Sequence, residues 1–159
     1  ARFEKDDTAQ KAFANTVTLD DLNADDYDAL FYPGGHGPLW DLATDAKSIA
    51  LIEAFVAQDK PVAAVCHGPA ALVNAKTTDG KPLVAGKKVT GFTNDEEKAV
   101  GLEKVVPLSI EDKFNKQGGL YERGEMWASY AVVDGKLVTG QNPASSDATA
   151  DAVMKILGK

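Results

Sequence analysis

The single cysteine of the chain, Cys66, lies in the stretch PVAAVCHGPAALV and is followed directly by a histidine and a glycine. The apolar run at 61–65 predicts a buried strand, and the Ala- and Leu-rich run at 69–74 predicts a helix. Cys66 therefore lies at the bend between the two elements. A nucleophile on such a bend needs small residues two positions before and after it, and Ala64 and Gly68 meet that requirement. This pattern predicts a strained backbone and a nucleophilic thiol at Cys66.

The helix predicted after Cys66 is expected to favour the thiolate, because its first N–H groups and its positive dipole end would point at the sulfur. His67 is the candidate base. Adjacent side chains normally face apart, but a bend allows the imidazole to turn toward the thiol. Such a base needs a third group to orient it. The alternative interpretation treats Cys66 as a small buried hydrophobe and His67 as an exposed residue at a helix start.

A second candidate region is the loop Pro33–Pro38, PGGHGP, after a strand predicted at 28–32. Consecutive glycines let the backbone approach a ligand and present N–H groups to an oxyanion. The G-x-G-x-x-G spacing of a dinucleotide site is not met. An ordinary tight turn is the alternative, but the shared sheet edge with Cys66 favours an oxyanion hole.

A third candidate region is Asn94-Asp95-Glu96-Glu97, where Asn94 is the expected N-cap of a helix at 94–101. Acidic residues are common in a first helical turn because they complement the helix dipole, and this is the preferred interpretation of Asp95 and Glu96. One carboxylate of the group is a candidate to orient His67. The residues alone leave its identity open.

The elements around these three regions alternate between strands and helices. Because the strands are apolar, this order predicts an α/β fold with a mainly parallel sheet covered by helices on both faces. Ligands bind at the carboxyl ends of the strands in such sheets, so the candidate regions are expected to share one edge. The predicted strands are 16–19, 28–32, 61–65, 87–90 and a hairpin of 130–133 with 136–139; the predicted helices are 45–58, 69–74, 94–101, 112–117 and 144–157.

The composition narrows the range of possible binding partners and cellular locations. A net charge of −7 argues against nucleic acid and anionic membranes. One cysteine fits a reducing compartment, and the chain has no apolar run of about 20 residues and no signal peptide, so a cytoplasmic location is expected.

We predict no metal and no cofactor, because Cys66, His67 and His36 are the only soft ligands and adjacent Cys-His spacing is poor for zinc. Trp40 and Trp127 are expected in the core rather than in the cleft.

Four stretches, FYPGGHGPLWDL, KPVAAVCHGPAALV, VTGFTNDEE and LVTGQNPASS, occur in this order. Together they resemble the ThiJ/PfpI superfamily, also described as class I glutamine amidotransferase-like, and most of all its heat-shock chaperone and glyoxalase III branch. The similarity runs from about Ala24 to Leu157. It implies a flavodoxin-like three-layer sandwich and a homodimer.

The resemblance also assigns roles. It implies that Cys66 is the nucleophile, that His67 is its adjacent histidine, and that Glu97, rather than its neighbour Glu96, completes a Cys-His-Glu triad. Gly35 matches the oxyanion-hole glycine, with the backbone N–H of His67 as its partner. His36 and Gly68 are expected to shape the pocket.

The implied function is a cofactor-independent, cysteine-dependent enzyme that converts methylglyoxal to lactate without glutathione. Two alternatives stay open: a peptidase or amidase with the same triad, and a holdase chaperone that acts through exposed apolar surface. Members of the family carry an opening strand–helix–strand segment whose glutamate hydrogen-bonds the cysteine. The chain at 1–159 is expected to be a single domain that lacks this segment.

Overall fold

The computed structural model describes residues 3–159, which contain six strands and five α-helices. The strands are β1 (Leu30–Tyr32), β2 (Val62–Val65), β3 (Lys88–Val89), β4 (Leu120–Tyr121), β5 (Ala131–Asp134) and β6 (Leu137–Gly140); the helices are α1 (Asp7–Ala14), α2 (Ala46–Ala57), α3 (Asn94–Ala99), α4 (Ile110–Lys116) and α5 (Ser146–Ile156).

The main sheet has the order β1-β2-β6-β5. Strands β1, β2 and β6 are parallel, and β5 is antiparallel to β6. The predicted mainly parallel sheet and the hairpin at its edge are therefore confirmed. Strands β3 and β4 form a separate parallel pair, and β4 was not predicted.

Strand β2 is buried along its whole length because helices cover both faces of the sheet. Its residue Ala64 belongs to one apolar cluster with Ile52 and Phe55 of α2. The next residue in the alternation, Ala63, packs on the opposite face with Val153 of α5. The fold therefore has the three predicted layers, helix, sheet and helix. Cys66 directly follows the carboxyl end of β2, at one edge of the sheet.

Two predicted elements differ from the structure. Residues 16–18 form no strand and lead into a 3-10 helix at Leu19–Asp21, where acidic residues fill the first turn. The helix predicted at 69–74 is instead a 3-10 helix at Gly68–Leu72, and all five of its residues are buried. Its apolar sequence reflects burial on every side rather than one face of an α-helix.

The two tryptophans lie at the surface, so the prediction that they pack in the core is wrong. Trp40 is 53% exposed and Trp127 is 43% exposed. Within residues 3–159, no helix is long and apolar enough to cross a membrane.

Candidate active site

Cys66 occupies a sharp turn directly after β2. Its φ angle is 63°, in the left-handed region that costs a non-glycine residue about 1–2 kcal/mol. Two backbone hydrogen bonds hold it there: its N–H donates to the Gly140 carbonyl and its carbonyl accepts from the Phe92 N–H, both at 2.9 Å. The predicted strain at the elbow is confirmed, and it is maintained by the neighbouring strand ends.

Two glycines let the chain pack closely around this turn. A Cβ on Gly68 would lie 2.3 Å from the Tyr32 carbonyl oxygen, and a Cβ on Gly34 would lie 2.6 Å from the Cβ of Cys66. Gly68 is buried in its contact with the end of β1. Its small size therefore serves the approach of the turn to the sheet.

A chain of hydrogen bonds connects the thiol to a carboxylate. The Sγ of Cys66 lies 3.5 Å from Nδ1 of His67, and Nε2 of His67 lies 2.7 Å from Oε2 of Glu97. The Glu97 carboxylate only accepts, so the imidazole carries its proton on Nε2 and leaves Nδ1 free to accept from the thiol. The three residues are arranged as nucleophile, base and orienting acid.

His36 adds a second histidine to the same carboxylate. Its Nε2 lies 2.9 Å from Oε1 of Glu97, and its ring centroid is 3.8 Å from that of His67. The ring of Phe92 covers His67 from another side, at 4.1 Å. Packing and hydrogen bonds therefore hold the His67 ring between two aromatic neighbours. Sequence analysis missed the contact of Phe92 and the link from His36 to Glu97, since neither has a local sequence signal.

Burial shifts the pKa values of both Cys66 and His67. Burial raises the pKa of the Cys66 thiol, with backbone hydrogen bonds from Gly35 and His67 acting in the opposite direction. Burial also lowers the pKa of His67, although Glu97 acts to raise it. The expectation that a helix dipole favours the thiolate is wrong, because the helix is a short 3-10 turn and desolvation outweighs it. Both shifts favour the uncharged pair, a thiol beside a neutral imidazole.

The predicted oxyanion-hole residues meet at the sulfur. Gly35 has a φ of 95°, which favours glycine. The backbone N–H groups of Gly35 and His67 lie close enough to the sulfur to act against the burial that raises the pKa of the Cys66 thiol. Two donors therefore converge beside the nucleophile, where the oxygen of an attacked carbonyl would develop charge.

Glu96, next to Glu97, points into a different network. Its Oε1 accepts from the backbone N–H of Trp127 and from the side-chain amides of Gln141 and Asn142. Its Oε2 accepts from the backbone and hydroxyl of Thr93. Burial alone would raise the pKa of Glu96, but these hydrogen bonds hold it below the usual value. Glu96 therefore fixes the loop that carries Trp127 and has no contact with the imidazole of the triad.

Sequence analysis placed the cap of this helix one residue late. The N-cap of α3 is Thr93, whose hydroxyl accepts from the N–H of Glu96 in a capping box. The spacing Thr-x-x-Glu before the helix is the sequence signal that identifies this cap. Asn94 is the first residue of α3.

Comparison with known proteins places this site in a family. Residues 5–156 match the DJ-1/PfpI family. The chain belongs to the DJ-1/PfpI family. The glutathione-independent glyoxalase HSP31 of Saccharomyces cerevisiae is 40% identical over 156 residues, which cover 92% of this chain and 64% of the yeast protein. The chain thus spans less than two thirds of the length of this relative.

Two solved structures have the same fold as this chain. The Rapid Encystment Protein 24 KDa of Francisella tularensis superposes with a TM-score of 0.93 at 39% identity, covering 98% of this chain and 69% of that chain. Glyoxalase III of Candida albicans has a TM-score of 0.82 at 32% identity, covering 94% of this chain and 70% of that chain. The predicted family and the flavodoxin-like α/β fold are confirmed.

Proposed function

We propose that this chain carries the catalytic centre of a glutathione-independent glyoxalase, which converts methylglyoxal to lactate with no cofactor. One observation supports this most strongly: the unbroken path from Sγ of Cys66 through both nitrogens of His67 to Glu97, with distances of 3.5 and 2.7 Å. The names of the yeast and Candida albicans relatives point to the same reaction.

The first step is nucleophilic addition. His67 accepts the thiol proton at Nδ1 as the sulfur attacks the aldehyde carbon, and the Glu97 carboxylate stabilises the resulting imidazolium. The aldehyde oxygen becomes an oxyanion beside the N–H groups of Gly35 and His67. Because the resting thiol has a raised pKa, proton transfer accompanies attack instead of preceding it.

The second step moves a proton between the two substrate carbons. The imidazolium first protonates the oxyanion, which gives a neutral hemithioacetal and restores the base. His67 then removes the proton from the carbon bonded to sulfur, and an enediolate forms, in which the hydroxyl proton moves from the first oxygen to the neighbouring one. Protonation of the neighbouring carbon gives a lactoyl thioester on Cys66, and hydrolysis by one water molecule releases lactate and the thiol. Methylglyoxal and water together contain all the atoms of lactic acid, so the cycle needs no oxidant or reductant.

The test measures lactate from methylglyoxal by proton NMR, using the 159-residue chain, any longer polypeptide that contains it, and the Cys66→Ala variant of each. The expected result is lactate that depends on Cys66. Formation of lactate only by a longer polypeptide would mean that residues outside this chain complete the site. Equal lactate from the Cys66→Ala variants would refute the proposal.

A second candidate function is amide or peptide hydrolysis, because the same acid–base–nucleophile order serves cysteine hydrolases. The 3.5 Å separation of Cys66 Sγ and His67 Nδ1 is compatible with the general-acid step that expels an amine. Chromogenic anilide and ester substrates separate the two functions, since a glyoxalase releases no aniline.

Two further features belong to the proposal. The resemblance predicts a homodimer, and the composition predicts a cytoplasmic location; both stay predictions. Size-exclusion chromatography with light scattering tests the first, and localisation of a tagged protein tests the second.

A further inference from the structure

The hydrogen-bonded cluster around Glu97 contains the ligands of a transition-metal site. The ligand atoms of His36, His67 and Glu97 all lie within 4.8 Å of one another. Two of these side chains are buried and His36 is partly exposed. Sequence analysis rejected a metal site because it considered the adjacent Cys66 and His67 as ligands. The structure instead brings together a loop histidine, an elbow histidine and a helix carboxylate from three separate segments.

We propose that His36, His67 and Glu97 form a binding site for a divalent transition-metal ion of the Zn²⁺ type, and that occupancy of this site inhibits the enzyme. Two histidines and one glutamate are an established zinc donor set. The fourth position of such a site is open to water. The partial exposure of the His36 side chain, 34%, gives an ion a route from solvent.

The geometry requires only a small expansion. Zinc bonds of about 2.0–2.1 Å in a tetrahedral arrangement separate neighbouring ligand atoms by roughly 3.3 Å. The two nitrogen–oxygen distances are now 2.9 Å for His36 with Glu97 and 2.7 Å for His67 with Glu97. His36 and His67 bond different oxygens of the Glu97 carboxylate, so the ion would bind between the two oxygens. Each of these nitrogen–oxygen pairs widens by about half an ångström, and the ligand atoms, which all lie within 4.8 Å of one another, adjust to the tetrahedral spacing. The ion replaces the protons that both Nε2 atoms now donate to the carboxylate.

Cys66 is not one of the proposed metal ligands. Cys66 faces Nδ1 of His67, on the other side of the ring from the Nε2 that would bind the ion. The metal therefore occupies the side of the imidazole on which Glu97 now accepts its hydrogen bond. His67 then loses its orienting partner, and the proton displaced from its Nε2 moves to Nδ1, so the ring no longer accepts the thiol proton. This inhibition rests on the proposed function, whereas the binding itself does not.

The binding test is titration of the metal-free chain with Co²⁺, followed by its visible absorption, and competition of that signal by Zn²⁺. The expected spectrum shows one four-coordinate ion per chain without a thiolate charge-transfer band. The Cys66→Ala variant is expected to keep the site, with a loss of affinity no larger than the about 10–100-fold that follows loss of an outer-shell partner, since Cys66 contacts Nδ1 of His67. Loss of binding in Cys66→Ala, or a strong thiolate band in the unmodified chain, would overturn the assigned ligands.

Substitutions of the proposed ligand residues provide a second test of metal binding. His36→Ala and Glu97→Gln are each expected to weaken Co²⁺ binding by more than about 100-fold, since loss of an outer-shell partner alone costs 10–100-fold. Asp95→Asn is the matched control for the charge change, because Asp95 lies in the same helical turn and is exposed. It is expected to bind as the unmodified chain does. Wild-type affinity in both ligand variants overturns the site, and circular dichroism checks that each variant is folded.

The inhibition is measured separately from the binding. Turnover of methylglyoxal is expected to fall in proportion to the occupied fraction and to return on addition of EDTA. Cobalt binding with the predicted ligand dependence but without any turnover, either in the metal-free chain or in a metal-free longer polypeptide that contains it, would retain the site and refute the glyoxalase proposal. Full turnover at saturating Zn²⁺ would refute the inhibition.

Discussion

Glu96 and Glu97 are neighbours in the first turn of α3, yet they lie in two different regions of the molecule. Glu96 is 0% exposed and accepts hydrogen bonds from Thr93, Trp127, Gln141 and Asn142. Glu97 is 8% exposed and bridges His36 and His67. Consecutive residues of a helix point about 100° apart. The same helical turn therefore directs the Glu96 carboxylate into the protein interior and the Glu97 carboxylate toward the two histidines.

The comparison separates what holds the fold from what serves the chemistry. All the partners of Glu96 are donors that burial would otherwise leave unsatisfied, so its charge is compensated and its role is structural. Glu97 is shared by two imidazoles, and one of them, His67, faces the thiol of Cys66. We therefore expect substitutions of Glu96 to lower stability first and substitutions of Glu97 to lower activity first.

The largest expected effect is on turnover in Glu97→Gln. Loss of the carboxylate that orients and stabilises the His67 imidazolium should lower kcat by about 10³-fold or more, as removal of the charge from a catalytic triad does. Unfolding free energy should change by no more than about 1 kcal/mol, because the amide keeps the shape of the side chain. Lactate assays and urea denaturation measure the two quantities. A turnover loss of less than about tenfold would contradict the role assigned to Glu97.

The next effect is on stability in Glu96→Ala. Truncation removes one of the two acceptors of each buried amide, of Gln141 and of Asn142, and removes the acceptor of the Trp127 backbone N–H. We expect the unfolding free energy to fall by about 3 kcal/mol or more. The matched variant Glu97→Ala should lose less, and an equal loss of stability in the two would break the comparison.

A smaller effect is expected in the pH dependence of stability. The pKa of Glu96 is lowered in the folded state from its ordinary value of 4.5. Its ionised form therefore contributes stability that is fully present above about pH 4.5 and is lost as the pH falls through the folded-state pKa. Urea midpoints between about pH 7 and pH 3 should fall less steeply in Glu96→Gln than in the unmodified chain. Identical slopes would show that Glu96 is not held ionised by its partners.

The smallest effect is expected from the helix cap. Thr93→Ala removes the hydroxyl of the capping box and should cost about 1 kcal/mol of stability. Asn94→Ala is the control for the cap assignment, since Asn94 is inside the helix. It does remove two surface hydrogen bonds, to Ser109 and Asp112. A greater loss from Asn94→Ala than from Thr93→Ala would favour the cap that sequence analysis first assigned.

Local sequence predicted the elbow, the hairpin and the Cys-His pair because each depends on residues close together in the chain. The resemblance was needed to choose Glu97, since the pattern Asn-Asp-Glu-Glu does not reveal where the helix begins. His36 and Glu97 are 61 residues apart, and their contact depends on the packing of two loops at one sheet edge. The raised pKa of Cys66 also escaped prediction, because burial is a property of the assembled core and the dipole argument is local.

The most direct test of the account is the identity of the residue that bonds the substrate. Rapid acid quenching of the reaction with methylglyoxal, followed by peptide mapping by mass spectrometry in acid, where a lactoyl thioester survives, would locate the bond. The account predicts a substrate-derived adduct on Cys66 that forms and decays at the rate of lactate production. Lactate production with Cys66 unmodified throughout turnover would contradict it.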